Sequence, residues 1–225
     1  MFTVDEFIRG ADFKRSRQDD FEGAIVDYLL ALDVLEEDDD RYAICLQQIG
    51  NCYKSLRLDE RALDYLRQAQ AVACPVWLSA AIRRDIADVH RQMKDLSKAL
   101  QILEEALRLL SPKEHADQYG ITLSWIGRVE RDLNYRDSAL NNFMHADQIL
   151  TQADNRAFEL YNLLDLADQY CACGHPIKGR RVARRAFKLA RVEGSKLHRT
   201  RALLIIVLGH SAQSIIQAVA RHQGR

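Results

Sequence analysis

Small residues recur along this sequence at nearly constant intervals, and this regularity limits the fold more than any local signal does. They are Gly10, Gly50, Ala87, Gly127 and Ala167, and successive members are 40, 37, 40 and 40 residues apart. Repeats of roughly 20–50 residues are typical of arrays in which each copy is one supersecondary unit. The spacing therefore predicts five copies of one structural unit.

Each copy contains the pattern of two helices joined by a turn. In the second copy, Gly50 and Tyr53 lie on one face of a first helix, and an apolar stripe at spacings of four and three residues marks a second helix. That stripe is Ala62-Leu66-Ala69, and it returns as Ala99-Leu103-Ala106 and Ala139-Phe143-Ala146. Because the three prolines fall at breaks in this pattern, they indicate where helices end.

The repeats are predicted at 2–37, 41–74, 76–111, 114–152 and 155–193, with a last helix at 196–222. Each hairpin is apolar on more than one side, so its surface is covered only when a neighbour stacks on it. We therefore predict one all-α domain over 1–225, a right-handed α-solenoid of about five helical hairpins plus a C-terminal capping helix. The last helix is also apolar on more than one side; we expect one side to cover the fifth repeat, and the other is a candidate for a dimer contact or a docked domain.

The pattern resembles that of the tetratricopeptide repeat family over nearly the whole chain. In that family a small residue and a tyrosine mark the first helix, and two alanines flanking a large residue mark the second, as in the stripes given above. The sequence departs from the family at His90 and Glu130, which stand at the tyrosine position, and at Gly179, which replaces the first alanine in the fifth repeat. The period also exceeds the family's usual length of about 34 residues, which resembles the variant repeats of bacterial peptide-sensing regulators and of polarity adaptors.

The charges are balanced over the chain but separated between its ends. The formal net charge is zero, whereas residues 1–40 hold 13 acidic and 4 basic side chains and residues 176–225 hold 12 basic and 1 acidic. Opposite charges at the two ends predict a weak homo-oligomer, formed head to tail or alternatively through the last helix. The N-terminus lacks the basic and apolar segments of a signal peptide, and no apolar run is long enough for a membrane span, so we expect a cytoplasmic protein without a membrane partner.

No catalytic or cofactor-binding motif is present in the sequence. It contains no G-x-S-x-G, no H-E-x-x-H and no glycine-rich phosphate loop, so we expect neither an enzyme nor a cofactor. Cys171, Cys173 and His175 are close in sequence, but they offer three ligands where a structural zinc site needs four, and we expect no metal site.

The resemblance implies a ligand on the concave surface lined by the first helices. Four residues past the small residue, four of the five repeats carry a long cation: Lys14, Lys54, Arg91 and Arg131. Asn51 is expected to hold peptide backbone, Arg84 and Arg128 to bind carboxylates, and Asp88 to select a basic residue of the ligand. The predicted peptide-binding set is Lys14, Gln47, Asn51, Lys54, Arg84, Asp88, Arg91, Arg128 and Arg131.

The sequence thus favours a non-catalytic interaction module, an adaptor or scaffold, that binds an acidic or carboxylate-bearing protein segment. One alternative is a sensor or regulatory domain of a bacterial signalling or transcriptional regulator. A second alternative is a nucleic-acid-associated factor, because residues 178–201 form a strongly basic stretch. That stretch lacks interleaved aromatic residues and a reader motif, which makes nucleic acid the less favoured partner.

Overall fold

The structure is a computed structural model, and it describes residues 3–208. Over this range the chain forms eleven α-helices and no strand, which confirms the predicted all-α repeat fold. The helices are α1 (Val4–Phe13), α2 (Phe21–Leu32), α3 (Asp40–Ser55), α4 (Asp59–Ala71), α5 (Val76–Gln92), α6 (Leu96–Leu109), α7 (Ala116–Asp132), α8 (Arg136–Gln152), α9 (Arg156–Ala172), α10 (Pro176–Val192) and α11 (Lys196–Leu208). A π-helical turn, Lys14–Gln18, extends α1.

The helices form two compact units. The first unit ends at Leu110 and consists of three antiparallel hairpins, α1–α2, α3–α4 and α5–α6, in which α2 packs against α3 and α4 against α5. The second unit begins at Ser111 and consists of the hairpins α7–α8 and α9–α10, with α8 packed against α9 and α11 packed against α10. The prediction of one domain over 1–225 stays a prediction.

The turns inside the hairpins repeat as regularly as the helices. Arg57, Lys94, Asn134 and Gly174 all have a positive φ, and each lies seven residues past the small residue of its repeat. The next residue donates its N–H to the carbonyl five positions earlier, as from Leu58 to Tyr53 O at 3.0 Å. This bond satisfies a carbonyl that the helix end leaves unpaired, so the turn closes the first helix of the second to fifth repeats in the same way.

Small residues meet where the two helices of a hairpin cross. Ala62, Ala99 and Ala139 are fully buried, as the apolar stripes predict. In the second repeat the glycine is on the first helix, and a Cβ at Gly50 would lie 3.2 Å from the backbone oxygen of Ala62. In the fifth repeat the glycine is on the second helix, and a Cβ at Gly179 would lie 2.8 Å from the oxygen of Ala167. The departure from the family pattern at Gly179 therefore moves the glycine to the other helix of the same crossing.

We expect Gly179→Ala to lower the free energy of unfolding by about 1–3 kcal/mol, because overpacking a close contact forces the helices apart. The added Cβ would lie 2.5 Å from Cys171 Sγ and would also contact a backbone oxygen that cannot rotate away. Chemical denaturation followed by circular dichroism measures the change. Gly10→Ala is the matched control, because its Cβ would meet only the flexible end of Asp27 at 3.1 Å. Equal stability of the two variants would contradict the prediction.

Helix α11 covers one side of the second unit. Ala202 and Ile205 are fully buried in the core that also contains Ala183 and Ala186 of α10, which agrees with a capping role. Leu197 and Val207 of the same helix are exposed. The predicted continuation of this helix to 222 lies outside the described residues, and the predicted weak homo-oligomer stays a prediction. Within residues 3–208, no helix has both the length and the apolar character needed to cross a membrane.

Candidate functional site

In the first unit, the predicted site residues of α3 contact carboxylates of α5. Gln47 Nε2 and Asn51 Nδ2 donate hydrogen bonds to Asp85 Oδ2 at 2.6 and 3.0 Å. Lys54 Nζ lies 3.0 Å from Asp88 Oδ2 and 3.8 Å from Asp85 Oδ1. The structure thus brings Gln47, Asn51, Lys54 and Asp88 together, but their polar groups hold two first helices to each other.

The remaining predicted residues of the first unit are also engaged within the protein. Arg91 Nε and Nη2 both donate to Asp88 Oδ1, at 3.2 and 3.1 Å. Arg84 is buried rather than exposed on the surface of α5. Lys14 Nζ lies 2.7 Å from Asp27 Oδ2 and therefore pairs with α2 of its own hairpin. Binding of a ligand by these residues stays a prediction.

In the second unit, two buried carboxylates of α9 are surrounded by three guanidinium groups from two other helices. Asp165 Oδ2 accepts from Arg128 Nε at 2.6 Å, and Asp165 Oδ1 accepts from Arg131 Nη1 at 3.2 Å and from Arg201 Nη2 at 2.9 Å. Arg201 Nη2 also donates to Asp168 Oδ2 at 2.7 Å. We call these five residues the α9 charge cluster. It ties α7, α9 and α11 together, and its formal charge is +1.

Asp165 is held in its ionised form. Its side chain is 4% exposed, and burial acts to raise the pKa of the carboxyl. The positive charges of Arg128, Arg131 and Arg201 outweigh that effect and hold the pKa of Asp165 well below its usual range. Burial likewise acts to lower the pKa of Arg201, whereas Asp165 and Asp168 raise it. Both partners therefore remain charged at neutral pH.

Sequence reasoning missed Asp85, Asp165 and Arg201, although a signal for the two aspartates is present. The third and fifth repeats contain D-I-A-D at 85–88 and D-L-A-D at 165–168. The second and fourth repeats contain Ile-Gly followed by a polar residue and then a cation, at 49–54 and 126–131. From the second repeat to the fifth, first helices that carry hydrogen-bond donors and cations therefore alternate with first helices that carry aspartates. A comparison of single repeats does not reveal this pattern, because it recurs only every two repeats.

An open cavity of about 200 Å³ lies beside the α9 charge cluster, between α7 and α9. Its lining is mostly apolar and aromatic, and it comprises Ile121, Ser124, Trp125 and Arg128 of α7, Leu150 of α8, and Phe158 and Tyr161 of α9. Ile121 and Leu150 are almost fully buried, whereas Phe158 and Tyr161 are 40% and 42% exposed. The cavity therefore has an apolar floor and an aromatic rim that solvent reaches. None of the aromatic residues was predicted as part of the site.

Arg128 belongs to both the cavity and the α9 charge cluster. Its guanidinium carbon lies 4.7 Å from the centre of the Trp125 ring, a distance at which a cation is attracted to the ring face. His198 of α11 contacts Tyr161 of the cavity rim edge to face, with ring centres 4.7 Å apart. Burial lowers the pKa of His198, which favours its neutral form beside Arg201.

The structure also describes the surroundings of two other groups that the sequence analysis singled out. Cys171 is at the end of α9 beside Gly179, and Cys173 lies 3.8 Å from the backbone oxygen of Arg136. Across residues 3–208, no group of three or more His, Cys, Asp and Glu side chains is arranged to hold a metal ion. In the basic helix α10, Arg185 pairs with Asp147 at 2.9 Å and with Glu159 at 3.3 Å. The less favoured alternative, that this helix binds nucleic acid, stays a hypothesis.

Comparison with known proteins identifies the repeat. Residues 85–109 match the model of the tetratricopeptide repeat. The chain shows no significant match to a curated protein.

The solved structures with a similar fold include regulatory proteins. A Rap protein complexed with Competence and Sporulation Factor is 20% identical, with a TM-score of 0.77 over 90% of this chain and 58% of that protein. The Rap conjugation gene regulator of plasmid pLS20, in complex with the Phr* peptide, is 14% identical, with a TM-score of 0.78 over 99% and 63%. A signal transduction ATPase from Pyrococcus horikoshii with a tetratricopeptide repeat sensor is 14% identical, with a TM-score of 0.74 over 92% and 32%. The chain thus spans less than two thirds of the length of each of these proteins.

Proposed function

We propose that the chain, whose residues 85–109 match the tetratricopeptide repeat, is a non-catalytic module that binds a peptide segment of another protein on the exposed side of its first helices. The observation that carries this proposal is the open aromatic cavity between α7 and α9. A concave, mostly apolar site with a few polar groups is the usual form of a ligand pocket. Two of the similar structures are complexes, one with Competence and Sporulation Factor and one with the Phr* peptide, which is consistent with this role.

The charge pattern argues for a ligand with few acidic residues rather than a carboxylate-rich one. Lys54 and Arg91 of the first unit each contact Asp88, so an incoming carboxylate would compete with a carboxylate already in place. The α9 charge cluster contains three arginines and two aspartates, so its net charge is +1. We therefore propose that an acidic group of the ligand binds in the second unit, at the edge of the cavity.

Selection from a peptide library tests the proposal. The full chain, immobilised on beads, is used to select from a phage-displayed library of random 12-residue peptides, and enriched sequences are synthesised with a fluorescent label. We expect binding by fluorescence anisotropy with a dissociation constant of about 1–100 μM, since an open site of this size contributes only a few strong contacts. Absence of any sequence enriched over bare beads would contradict the proposed function.

The location of the site is tested with a variant of the cavity rim. We expect Phe158→Ala to weaken binding of the selected peptides by about thirtyfold, because truncation of an aromatic side chain that carries much of the binding energy typically costs about 2 kcal/mol. Tyr135→Ala is the matched control, since Tyr135 is an exposed aromatic residue outside the cavity. If the peptides bind both variants with the same affinity as the wild-type chain, the chain is a peptide-binding protein but its binding site is not this cavity.

A sensor or regulatory domain of a signalling protein is the second candidate function. It is favoured by the likeness to Rap proteins and to a tetratricopeptide repeat sensor, each of which is longer than this chain. Affinity purification from the source cells followed by mass spectrometry distinguishes the two roles. Recovery of a kinase, an ATPase or a DNA-binding protein would favour the regulatory role. Recovery of several unrelated proteins that have one short sequence segment in common would favour an adaptor.

A further inference from the structure

We propose that the cavity between α7 and α9 takes one aromatic side chain of the bound peptide, and that Arg128 binds a carboxylate next to that side chain. This inference rests on the proposed function and defines the chemistry of its ligand. It follows from three properties of the second unit: the size of the cavity, the composition of its walls, and the charge at its edge.

The size of the cavity matches one aromatic ring. A cavity of about 150 Å³ lined by Leu, Ile and Phe is large enough to hold benzene. The cavity here measures about 200 Å³ and has Ile121 and Leu150 at its floor. It therefore has room for the ring of a phenylalanine or tyrosine together with its Cβ, but not for two large side chains. Its open side leaves the peptide backbone at the surface.

The walls present aromatic rings at angles that suit another ring. Phe158 and Tyr161 have ring centres 6.4 Å apart and planes inclined at 53°, and Trp125 faces them from α7. Aromatic pairs are most favourable in tilted or edge-to-face arrangements with centres about 4.5–7 Å apart. An aromatic ring inserted between α7 and α9 would contact the edges or faces of all three rings. An aliphatic side chain would form less favourable contacts with them, because it lacks the charge distribution of an aromatic ring.

The edge of the cavity favours an anion. Arg128 uses its Nε on Asp165, and no hydrogen bond from its two Nη groups to another of the described residues is present. These Nη groups are donors, and the guanidinium has no acceptor. The α9 charge cluster as a whole has a formal charge of +1, so a single carboxylate at Arg128 would neutralise it.

The same charge argues against a basic occupant. Aromatic cages often hold a lysine or a methylated ammonium group, since ring faces attract cations. Here the ring face of Trp125 is already within 4.7 Å of the Arg128 guanidinium. A second cation in the cavity would lie beside that group and would be repelled by it. The composition of the walls alone would permit a cation, and the neighbouring charge excludes it.

Short peptides of defined chemistry test the inference. The chain has two tryptophans, Trp77 and Trp125, so a Trp77→Phe protein has one indole reporter at the cavity. The probes are acetyl-Gly-Gly-Phe with a free carboxylate, its C-terminal amide, acetyl-Gly-Phe-Asp-amide, and acetyl-Gly-Gly-Lys-amide. Each is titrated while the indole N–H peak of Trp125 is followed by ¹H–¹⁵N NMR. The first and third probes distinguish a C-terminal carboxylate from an aspartate side chain.

We expect at least one carboxylate probe to shift the Trp125 peak with saturation and a dissociation constant on the order of 1 mM, as befits a ligand of this size. The amide should bind at least about threefold more weakly, which corresponds to one exposed charged contact. Arg128→Gln should abolish the difference between acid and amide, whereas Arg156→Gln, an exposed arginine of α9 outside the cavity, should preserve it.

Three outcomes would overturn the inference. They are no response of Trp125 to any of the three phenylalanine probes, binding of the amide as tight as that of both carboxylate probes to the protein with intact Arg128, or tighter binding of the lysine probe. The comparison of acid with amide needs no variant at Arg128, so it stands even where Arg128→Gln disturbs folding. Library peptides that bind the chain without shifting Trp125 would reject this inference and leave the proposed function standing.

Discussion

Replacement of Asp165 by asparagine is expected to lower the free energy of unfolding by about 3–5 kcal/mol, because it leaves largely buried guanidinium groups without a charged partner at the centre of the cluster. Asparagine has nearly the same shape as aspartate, so packing is conserved and only the charge is lost. The ion pairs of Arg128 and Arg131 with Asp165 would be lost, and Arg201 would keep its pair with Asp168. Because the three arginines come from α7 and α11, the connection between these helices and α9 should be weakened.

Urea unfolding of the Trp77→Phe protein, followed by Trp125 fluorescence, reports on the second unit directly. The control is Asp154→Asn, which removes one partner of an exposed pair with Arg156 at 3.1 Å. Exposed pairs contribute only about 0–1 kcal/mol, so this variant should remain close to the wild-type stability. A loss of less than about 1 kcal/mol for Asp165→Asn would contradict a structural role for the cluster.

The pH dependence of stability provides a second readout of the same carboxyl. The pKa of Asp165 in the folded chain lies below its usual value of 3.8, so its contribution to stability is complete above that pH. As the pH falls below that value, the unfolded chain takes up a proton at Asp165 before the folded chain does, and stability falls by up to about 1.4 kcal/mol per pH unit. The Asp165→Asn variant lacks this group, so the difference between the two proteins should narrow on acidification from pH 4 to pH 2.

Replacement of Phe143 by alanine is expected to cost about 3–5 kcal/mol, the usual cost of removing a fully buried aromatic ring. The ring is completely buried at the crossing of α7 and α8. A Cβ at Gly127 would lie 2.9 Å from Phe143 Cε1, so the glycine leaves a space that this ring fills. Asn162 of α9 donates a hydrogen bond to Phe143 O at 2.9 Å, which joins the same position to the next hairpin.

Met144→Ala is the matched control, because Met144 is the next residue of α8 and its side chain is exposed. We expect its stability to remain within about 0.5 kcal/mol of the wild-type value. Phe143→Leu should lose less than Phe143→Ala, since leucine fills part of the cavity. Both variants are measured by chemical denaturation, and a loss for Phe143→Ala no larger than that for Met144→Ala would contradict the role of this ring.

Much of the fold could be predicted from the sequence, because the residues that specify a helix and a hairpin crossing lie close together in the sequence. An amphipathic helix repeats its apolar residues every three or four positions, so the stripe Ala99-Leu103-Ala106 indicates both the helix and its buried side. Small residues at the crossings are equally readable, because close backbone approach leaves no room for a larger side chain. Gly179 was read as a departure from the pattern, and only the geometry of the α9–α10 crossing explained it.

The candidate site could be predicted only in part. Lys54 and Arg131 were correctly placed on first helices by their spacing, and the structure brings each of them close to other predicted residues. Two of their carboxylate partners, Asp85 and Asp165, were not predicted. These aspartates are more than 30 residues away in sequence, and residue spacing does not show which helix faces come within 4 Å of each other. The aromatic rim was missed for the same reason. Trp125 and Phe158 belong to different hairpins, and neither residue by itself indicates a binding site.

By itself, the sequence determined the helical class, the repeat, the small residues at the crossings and the choice of polar residue at each first-helix position. Only the tertiary structure decided what those polar residues do. An ion pair or a cavity depends on distances of a few ångströms between helices that are one repeat apart, and stacking of the hairpins sets those distances. For that reason, cations that the sequence predicted to bind a ligand form ion pairs within the protein. The site proposed for a ligand is a cavity lined by residues from three helices, so no single stretch of the sequence contains it.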